Sequence, residues 1–390
     1  MKNNISLLVG LKNNLDYSKN FYHTTRAIYP EVEIVFVSYG STDGTHEWLD
    51  GLNDPYLVYH YSAEQKTFSD TFNKCTELAT KDYVAYAHND MILAPGFIES
   101  LEQLIAEDTV ITYTTIEPPI FAGHERPGKI IKDFGDNIEN QNIAYLYSFV
   151  RELQQTNNVN GEPSDLTFFL CVFRKVLLEI GGLDPLYNPM FCEDDDLILR
   201  LKLLGLKTIV SHNAICYHFV SKTSRSSDEY KDRTKLIEEN SNRNFTRKWG
   251  FLNSSPIKHK YNLGFILKNG TDDLLRKIEP FCTSVYTDHD ANGYILSEQP
   301  NTAFDLNTRI KPLQAEKNND MLVNIDGSRF TDDSYNAIRY LNEIITRRAN
   351  KKLGFFEKLI GKSNFKFKRA NLTIEIKQLR NLEHTLINRR

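Results

Sequence analysis

The sequence predicts an α/β protein. A Rossmann-like, mostly parallel sheet between helices is followed by a smaller α/β domain and a basic C-terminal helical tail. Three observations predict this. Short apolar runs that end at Gly or at polar clusters alternate with helix-length stretches. The alternation restarts after the linker-like Asn253-Ser254-Ser255-Pro256. Residues 346–390 hold 13 Lys/Arg against 3 Asp/Glu, although the whole chain stands at −4. The expected domains are 1–252, with an insertion at about 117–160, then 257–346 and the tail 347–390.

The elements follow in order. Residues 5–10 are an apolar run ending at Gly10, the signature of a buried strand. A helix over 17–29 is stopped by Pro30, and 33–37 is a second buried strand. Strand, helix and strand of these lengths form a parallel βαβ unit, whose crossover is right-handed. Residues 57–61 predict a strand and 68–78 a helix. Residues 83–87 predict a strand that runs into His88-Asn89-Asp90. A helix starts at Pro95-Gly96-Phe97 and 110–115 is a strand. The Gly/Asn/Pro-rich insertion follows, with one helical portion. Residues 168–173 read as a strand and 176–180 as a short helix closed by Gly181-Gly182. Residues 195–204 predict a helix closed by Gly205, then 208–211 and 215–218 two short strands. Residues 221–227, rich in Ser, Lys and Arg, read as a mobile loop before a polar helix ending at Trp249-Gly250. Beyond the linker, 261–267, 272–278 and 284–286 repeat strand, helix, strand. Residues 321–325 and 332–345 add a strand and a helix.

Composition narrows the class. With 41% hydrophobic and 25% charged residues, the chain is neither disordered nor fibrous. Five cysteines, widely spaced and without a CxxC pair, argue against a disulfide framework or zinc cluster and for a reducing compartment. No run approaches the roughly 20 apolar residues that span a bilayer, and the N-terminus lacks the apolar stretch of a signal peptide. The expected location is cytoplasmic, with a peripheral contact at the inner membrane face as one reading of the basic tail. A solvated basic helix is the other.

Ligands of open parallel sheets bind at the carboxyl ends of the strands. Four polar clusters fall there: Lys12 and Asn13, residues 38–45, His88-Asn89-Asp90, and residues 192–196. A carboxylate at Asp90 can hold a hard divalent cation together with a diphosphate; it can equally cap the next helix. The run Glu193-Asp194-Asp195-Asp196 complements a helix dipole, yet four consecutive acids repel one another. One of them can act as a general base toward an acceptor hydroxyl. His218, at a strand end, completes a candidate metal-ligand set with Asp90 and His88.

Together these motifs resemble the family 2 inverting glycosyltransferases of GT-A fold. EIVFVSYGSTDGT (33–45) resembles the second strand and nucleotide loop, and AHNDMILAPGF (87–97) the Asp-x-Asp region. GGLD, EDDD and LRLKLLG within 181–205 resemble the acceptor-side motif, EDDD being also similar to that of β-1,4-galactosyltransferases. FTRKWG (245–250) resembles a common end of the domain. The resemblance implies Mn²⁺ or Mg²⁺ on Asp90, His218 and His88, with Asp194 as catalytic base and Glu193 holding acceptor or donor sugar. It implies donor contacts from Gly10, Leu11, Lys12, Asn13, Tyr39, Asn73 and Asn89. Two departures stand out: Ser38-Tyr39 replaces the usual Asp-Asp, so Tyr39 is expected to stack on the base instead, and His88 replaces the first Asp of Asp-x-Asp. Glu117-Pro118-Pro119 and Asp133-Phe134-Gly135 are similar to a subgroup, and the insertion is read as an acceptor-side lid or as a structural cover. The implied partners are a nucleotide-sugar donor and a glycan or lipid-linked glycan acceptor. Sugar transfer to modified DNA bases, suggested by the basic tail alone, and a non-catalytic binding scaffold are the alternatives; nucleic acid is not the expected partner.

Overall fold

The computed structural model describes residues 4–120, 124–157, 159–187, 189–220, 232–352 and 362–389. The chain divides into two units, the first running to Lys235 and the second starting at Leu236.

In the first unit, β1 (Ile5–Leu11), α1 (Leu15–Ile28), β2 (Glu33–Tyr39), α2 (Thr45–Asp50) and β3 (Leu57–Ser62) wind outward from the sheet centre. Both strand pairs are parallel, β1 on β2 and β2 on β3. After α3 (Phe68–Leu78) the chain returns to the other side of β1 with β4 (Tyr83–His88), again parallel. This change of direction creates a crevice at the strand ends, where ligands of such sheets bind. Next come β5 (Met91–Leu93), α4 (Phe97–Glu102), β6 (Thr109–Glu117), β7 (Lys129–Ile131), α5 (Ile143–Thr156) and β8 (Gly161–Pro163). The unit's last elements are β9 (Leu170–Phe173), α6 (Arg174–Ile180), α7 (Glu193–Leu203) and β10 (Lys207–His218). The strand order is β3-β2-β1-β4-β9-β6-β10-β5, with β7 beside β6 and β8 beside β10. β9 runs antiparallel to both β4 and β6.

The core explains the pattern of apolar runs. Strands buried on both faces lose the polar alternation of half-exposed ones, and all of β2 is buried, the sequence EIVFVSY included. Phe21 of α1 packs against one sheet face with Leu7, Val9, Ile34 and Phe36. The insertion is built into the fold: Leu146 and Val150 of α5 pack with Ile116, Ile215 and Tyr217, which favours the structural-cover reading for α5. The two short strands expected at 208–218 are one strand, β10, with an irregularity between Ser211 and Ile215.

The second unit opens with α8 (Thr234–Trp249), whose first residues straddle the division. Residues 245–250, expected to close the first domain, belong here. Arg247 is fully buried and pairs with Glu279 at 2.9 Å and with Glu298. Parallel strands follow: β11 (Leu263–Lys268), β12 (Ser284–Thr287), β13 (Ile310–Pro312) and β14 (Met321–Asp326). Between them lie α9 (Asp272–Ile278), α10 (Asn292–Glu298) and α11 (Leu306–Arg309). The helix expected over 332–345 is two, α12 (Asp332–Arg339) and α13 (Leu341–Lys352), because the helix pauses at Tyr340.

The expected basic helical tail is corrected beyond α13. β15 (Lys362–Arg369) and β16 (Leu372–Gln378) form an antiparallel hairpin that joins the sheet through β14, in the order β13-β12-β11-β14-β16-β15. Alternation explains it: Leu372, Ile374 and Ile376 are buried, Phe365 and Phe367 pack on the same core, and Lys366 and Lys368 are exposed. Ala370 and Asn371, at φ 46° and 62°, make the tight turn. Those two phenylalanines therefore do not form a membrane-facing surface. Leu353, Phe355, Phe356, Leu359 and Ile360, and the loop at 221–227, lie outside the described residues.

Candidate active site

Three strand ends build the first half of the site. β4 delivers His88, a two-residue turn presents Asp90, and β5 continues antiparallel to β10 with Met91 opposite His218. Asn89 donates its amide to Ser18 Oγ at 3.0 Å, and the Phe219 N–H donates to the Asp90 carbonyl at 3.0 Å. These bonds fix the turn so that three side chains converge. His218 Nε2 lies 3.4 Å and His88 Nδ1 3.9 Å from Asp90 Oδ1. One donor atom from each residue falls within 4.8 Å of the others. His88 Nε2 is buried and makes no hydrogen bond among the described residues. Two imidazoles and a carboxylate are a donor set that can hold a divalent metal ion, and an orphaned buried nitrogen fits an absent partner.

The rings sit among aromatics: His88 is 5.3 Å from Phe168 and 5.0 Å from Phe169, centre to centre, and Phe169 is also 5.0 Å from His218. Burial pushes the His88 imidazole down to about 4, with His218 adding to the effect and Asp90 opposing it. Burial also works against protonated His218, but Asp90 and Glu117 outweigh it and lift that imidazole to about 9. Cation loading would release this proton, because a ligating imidazole is neutral.

The second half of the site is α7. It starts at Glu193, two residues before the expected start, so all four acids fall in its first turn. The chain enters it through Phe191 and Cys192, both left-handed at φ 76° and 68°. Such conformations cost on the order of 1–3 kcal/mol for non-glycine residues and cluster at functional sites. The four acids divide by environment. Asp196 is fully buried; it accepts from Arg200 Nε at 2.7 Å and from the Tyr187 hydroxyl at 2.9 Å. Arg200 in turn donates to the Ile180 and Gly182 carbonyls, which anchors α7 to the Gly-Gly turn. Asp194 accepts the Asp195 N–H at 2.8 Å, and burial raises its carboxyl above the usual range. Glu193 is raised further, by burial and then by Asp194, and its buried Oε2 has no hydrogen-bond partner among the described residues.

The two halves share one cleft. A cavity of about 370 Å³ is lined by His88, Glu117 and Phe169 on one side and by Glu193, Asp194 and Asp195 on the other.

The donor-side expectations divide. Lys12 Nζ donates to the Tyr39 and Gly40 carbonyls at 3.3 and 3.1 Å and to Gln65. Asn13 donates its N–H to Ser41 Oγ and accepts from the Thr42 N–H, so these two residues tie β1 to the loop after β2. Gly10 is required by packing, since a Cβ there would stand 3.0 Å from Thr71 and 3.1 Å from Phe72. Leu11 has a buried side chain, so only its main chain is available to a ligand. Three further residues are engaged within the protein. Tyr39 is 6% exposed, with His60 packed against its ring and Lys66 over the ring at 5.2 Å. Asn73 uses its amide to donate to and accept from Leu183, both at 2.8 Å, so it holds the turn before α7. Asn89 donates its amide nitrogen to Ser18. The sequence reading gave no site role to Glu117 or to Phe168 and Phe169. The Glu117-Pro118-Pro119 motif and the strand alternation Thr115, Glu117 were the available signals for the first.

A mostly parallel sheet thus carries a His-Asp-His cluster and an acidic helix start in its crevice. Residues 6–181 match the family described as Glycosyl transferase family 2. No curated protein matches the chain. Among solved structures, the chain is similar to mannosyltransferase PcManGT from Pyrobaculum calidifontis in complex with GDP-Man and Mn²⁺, at 16% identity and TM-score 0.41, covering 63% of each chain. It is also similar to GalNAc-T7 with UDP, GalNAc and Mn²⁺, at 9% identity and TM-score 0.43, covering 66% of this chain and 52% of that one. TarS 1-349 of S. aureus in complex with UDP-GlcNAc follows at 12% identity and TM-score 0.43, covering 62% and 70%. The chain thus spans less than two thirds of the first two.

Proposed function

We propose that the first unit transfers a sugar from a nucleotide-sugar donor to a hydroxyl of a glycan or lipid-linked glycan, with inversion at the anomeric carbon. The observation that supports this is the shared cleft, which is lined by the acidic start of α7 and by His88, one member of the His88, Asp90 and His218 cluster. These three residues would hold Mn²⁺ or Mg²⁺, whose positive charge, when bound, offsets the charge of the leaving diphosphate. Asp194 takes the proton of the acceptor hydroxyl as its oxygen attacks the anomeric carbon. The bond from that carbon to the diphosphate oxygen breaks on the opposite side, and the nucleoside diphosphate leaves with the electron pair. A raised carboxyl suits Asp194 to this work, because a base is most effective when its pKa approaches the working pH. Glu193, buried and with an oxygen open to a partner, is placed to hold a sugar hydroxyl. Reaction in the cytoplasm, with the acceptor at the inner membrane face, belongs to the same proposal.

The test is transfer or donor hydrolysis across a panel of nucleotide-sugars with Mn²⁺. Asp90→Ala and Asp194→Asn should each lower turnover by about 100- to 10,000-fold, and NMR of the product should show the inverted anomer. A retained anomer rejects the single displacement. Undiminished turnover in Asp194→Asn rejects the assigned base.

A further inference from the structure

Glu117 lies outside the ligand cluster, yet the sheet places it beside His218. β6 and β10 are parallel neighbours with Ile116 opposite Tyr217, so the next residues, Glu117 and His218, stand side by side on one face. Glu117 Oε1 lies 3.5 Å from His218 Nδ1, on the side of the ring away from Asp90. The same oxygen accepts from the Thr115 hydroxyl at 3.4 Å, and Glu117 Oε2 meets Lys129 Nζ of β7 at 2.5 Å. Glu117 is thus held from two directions while it faces one imidazole nitrogen.

We propose that Glu117 is the positioning residue of the metal site: it accepts the Nδ1–H of His218 and so fixes the tautomer and ring orientation that turn Nε2 toward Asp90. This rests on the reading that His88, Asp90 and His218 hold a divalent cation. The physical reason is general. A ligating imidazole has one nitrogen for the metal, and the group bonded to the other decides which nitrogen that is and where it points. A carboxylate in this role also makes the ligand more basic. Lys129 offsets the charge that Glu117 would otherwise add to a cleft already lined by Glu193, Asp194 and Asp195. The insertion acquires a purpose in the same way: its first short strand, β7, carries the lysine that secures the second residue of the chain Lys129, Glu117, His218.

The experiment is a Mn²⁺ titration of the full-length protein without donor, followed by loss of the free-ion EPR signal. Glu117→Ala should weaken Mn²⁺ by about 10- to 100-fold. Glu117→Gln, whose amide oxygen still accepts from Nδ1–H, should restore a substantial part of that loss. Thermal unfolding without metal checks that both variants are folded, and His218→Ala serves as the ligand-loss reference. A Glu117→Ala protein that binds Mn²⁺ within twofold of wild type, while His218→Ala does not, overturns the role of Glu117 and leaves the metal site standing. Glu117→Gln no better than Glu117→Ala overturns it too. Wild-type protein that takes up no Mn²⁺ overturns the metal reading itself.

Discussion

Asp194 and Asp196 stand two positions apart on α7 and have opposite environments. Asp196 faces Arg200 and Tyr187 in the interior, whereas Asp194 lines the cleft. On the proposed mechanism, the acid that serves as base is the one not paired with Arg200. Its pH dependence follows. Asp194 works as a base only when deprotonated, and burial raises its pKa. The acid limb of the rate profile should accordingly lie above the roughly pH 4 of an ordinary aspartate, with activity falling as pH drops through the raised value. A limb at or below that ordinary value, measured on kcat/KM between pH 4 and 8, would remove Asp194 from the role. The four-acid motif was legible in the sequence, but the division of labour within it was not. Which acid meets Arg200 depends on the turn at which the helix starts, and that turn is set by Phe191 and Cys192 in left-handed conformations that no local propensity signals.

At the scale of the element, α7 is held by its buried ion pair. Removing one partner of such a pair leaves the other charged and desolvated, at a cost of about 3–5 kcal/mol. Asp196→Ala should lose stability of that size in denaturant unfolding, and Asp194→Asn should lose little. Equal losses would mean that the first turn is fixed by something other than Arg200. The loops show the same economy. Lys12 and Asn13 were expected at a ligand; they are used to join the ends of β1 and β2. Polar residues at strand ends announce a crevice, and their type alone does not separate those that frame it from those that face it. Glu117 is the converse case: noted in the sequence only as part of a Glu-Pro-Pro motif and given no site role, it is placed beside His218 by strand register, a tertiary quantity.

At the scale of the whole chain, two α/β units follow one another, each with its own sheet and core. The alternation of apolar runs and helices disclosed both. It did not disclose that β9 enters antiparallel between β4 and β6, because order within a sheet is decided by long-range packing. The second unit has its own acid sensitivity. Burial would raise Glu279, but Arg309 at 2.7 Å and Arg247 at 2.9 Å outweigh it and hold the carboxyl at about 2. A depressed carboxylate contributes stability that is present above its unfolded value, near 4.5, and lost as pH falls toward the folded one. The contribution is on the order of 3 kcal/mol. Glu279→Gln should be less stable at neutral pH, and its stability should change less than wild type between pH 5 and 3. Parallel curves for the two proteins would count against the linkage.

The hairpin of β15 and β16 also holds part of the basic composition from which an anionic partner was expected. β15 ends the described sheet, and such a strand offers unpaired backbone groups to any other strand that approaches. Its phenylalanines are turned inward while Lys366, Lys368 and Arg369 project from it. Two copies meeting edge to edge would have to bring these like charges together at strand spacing. Charges of this kind on an open strand edge disfavour edge-to-edge pairing of like strands, so part of the basic composition has a role that needs no ligand.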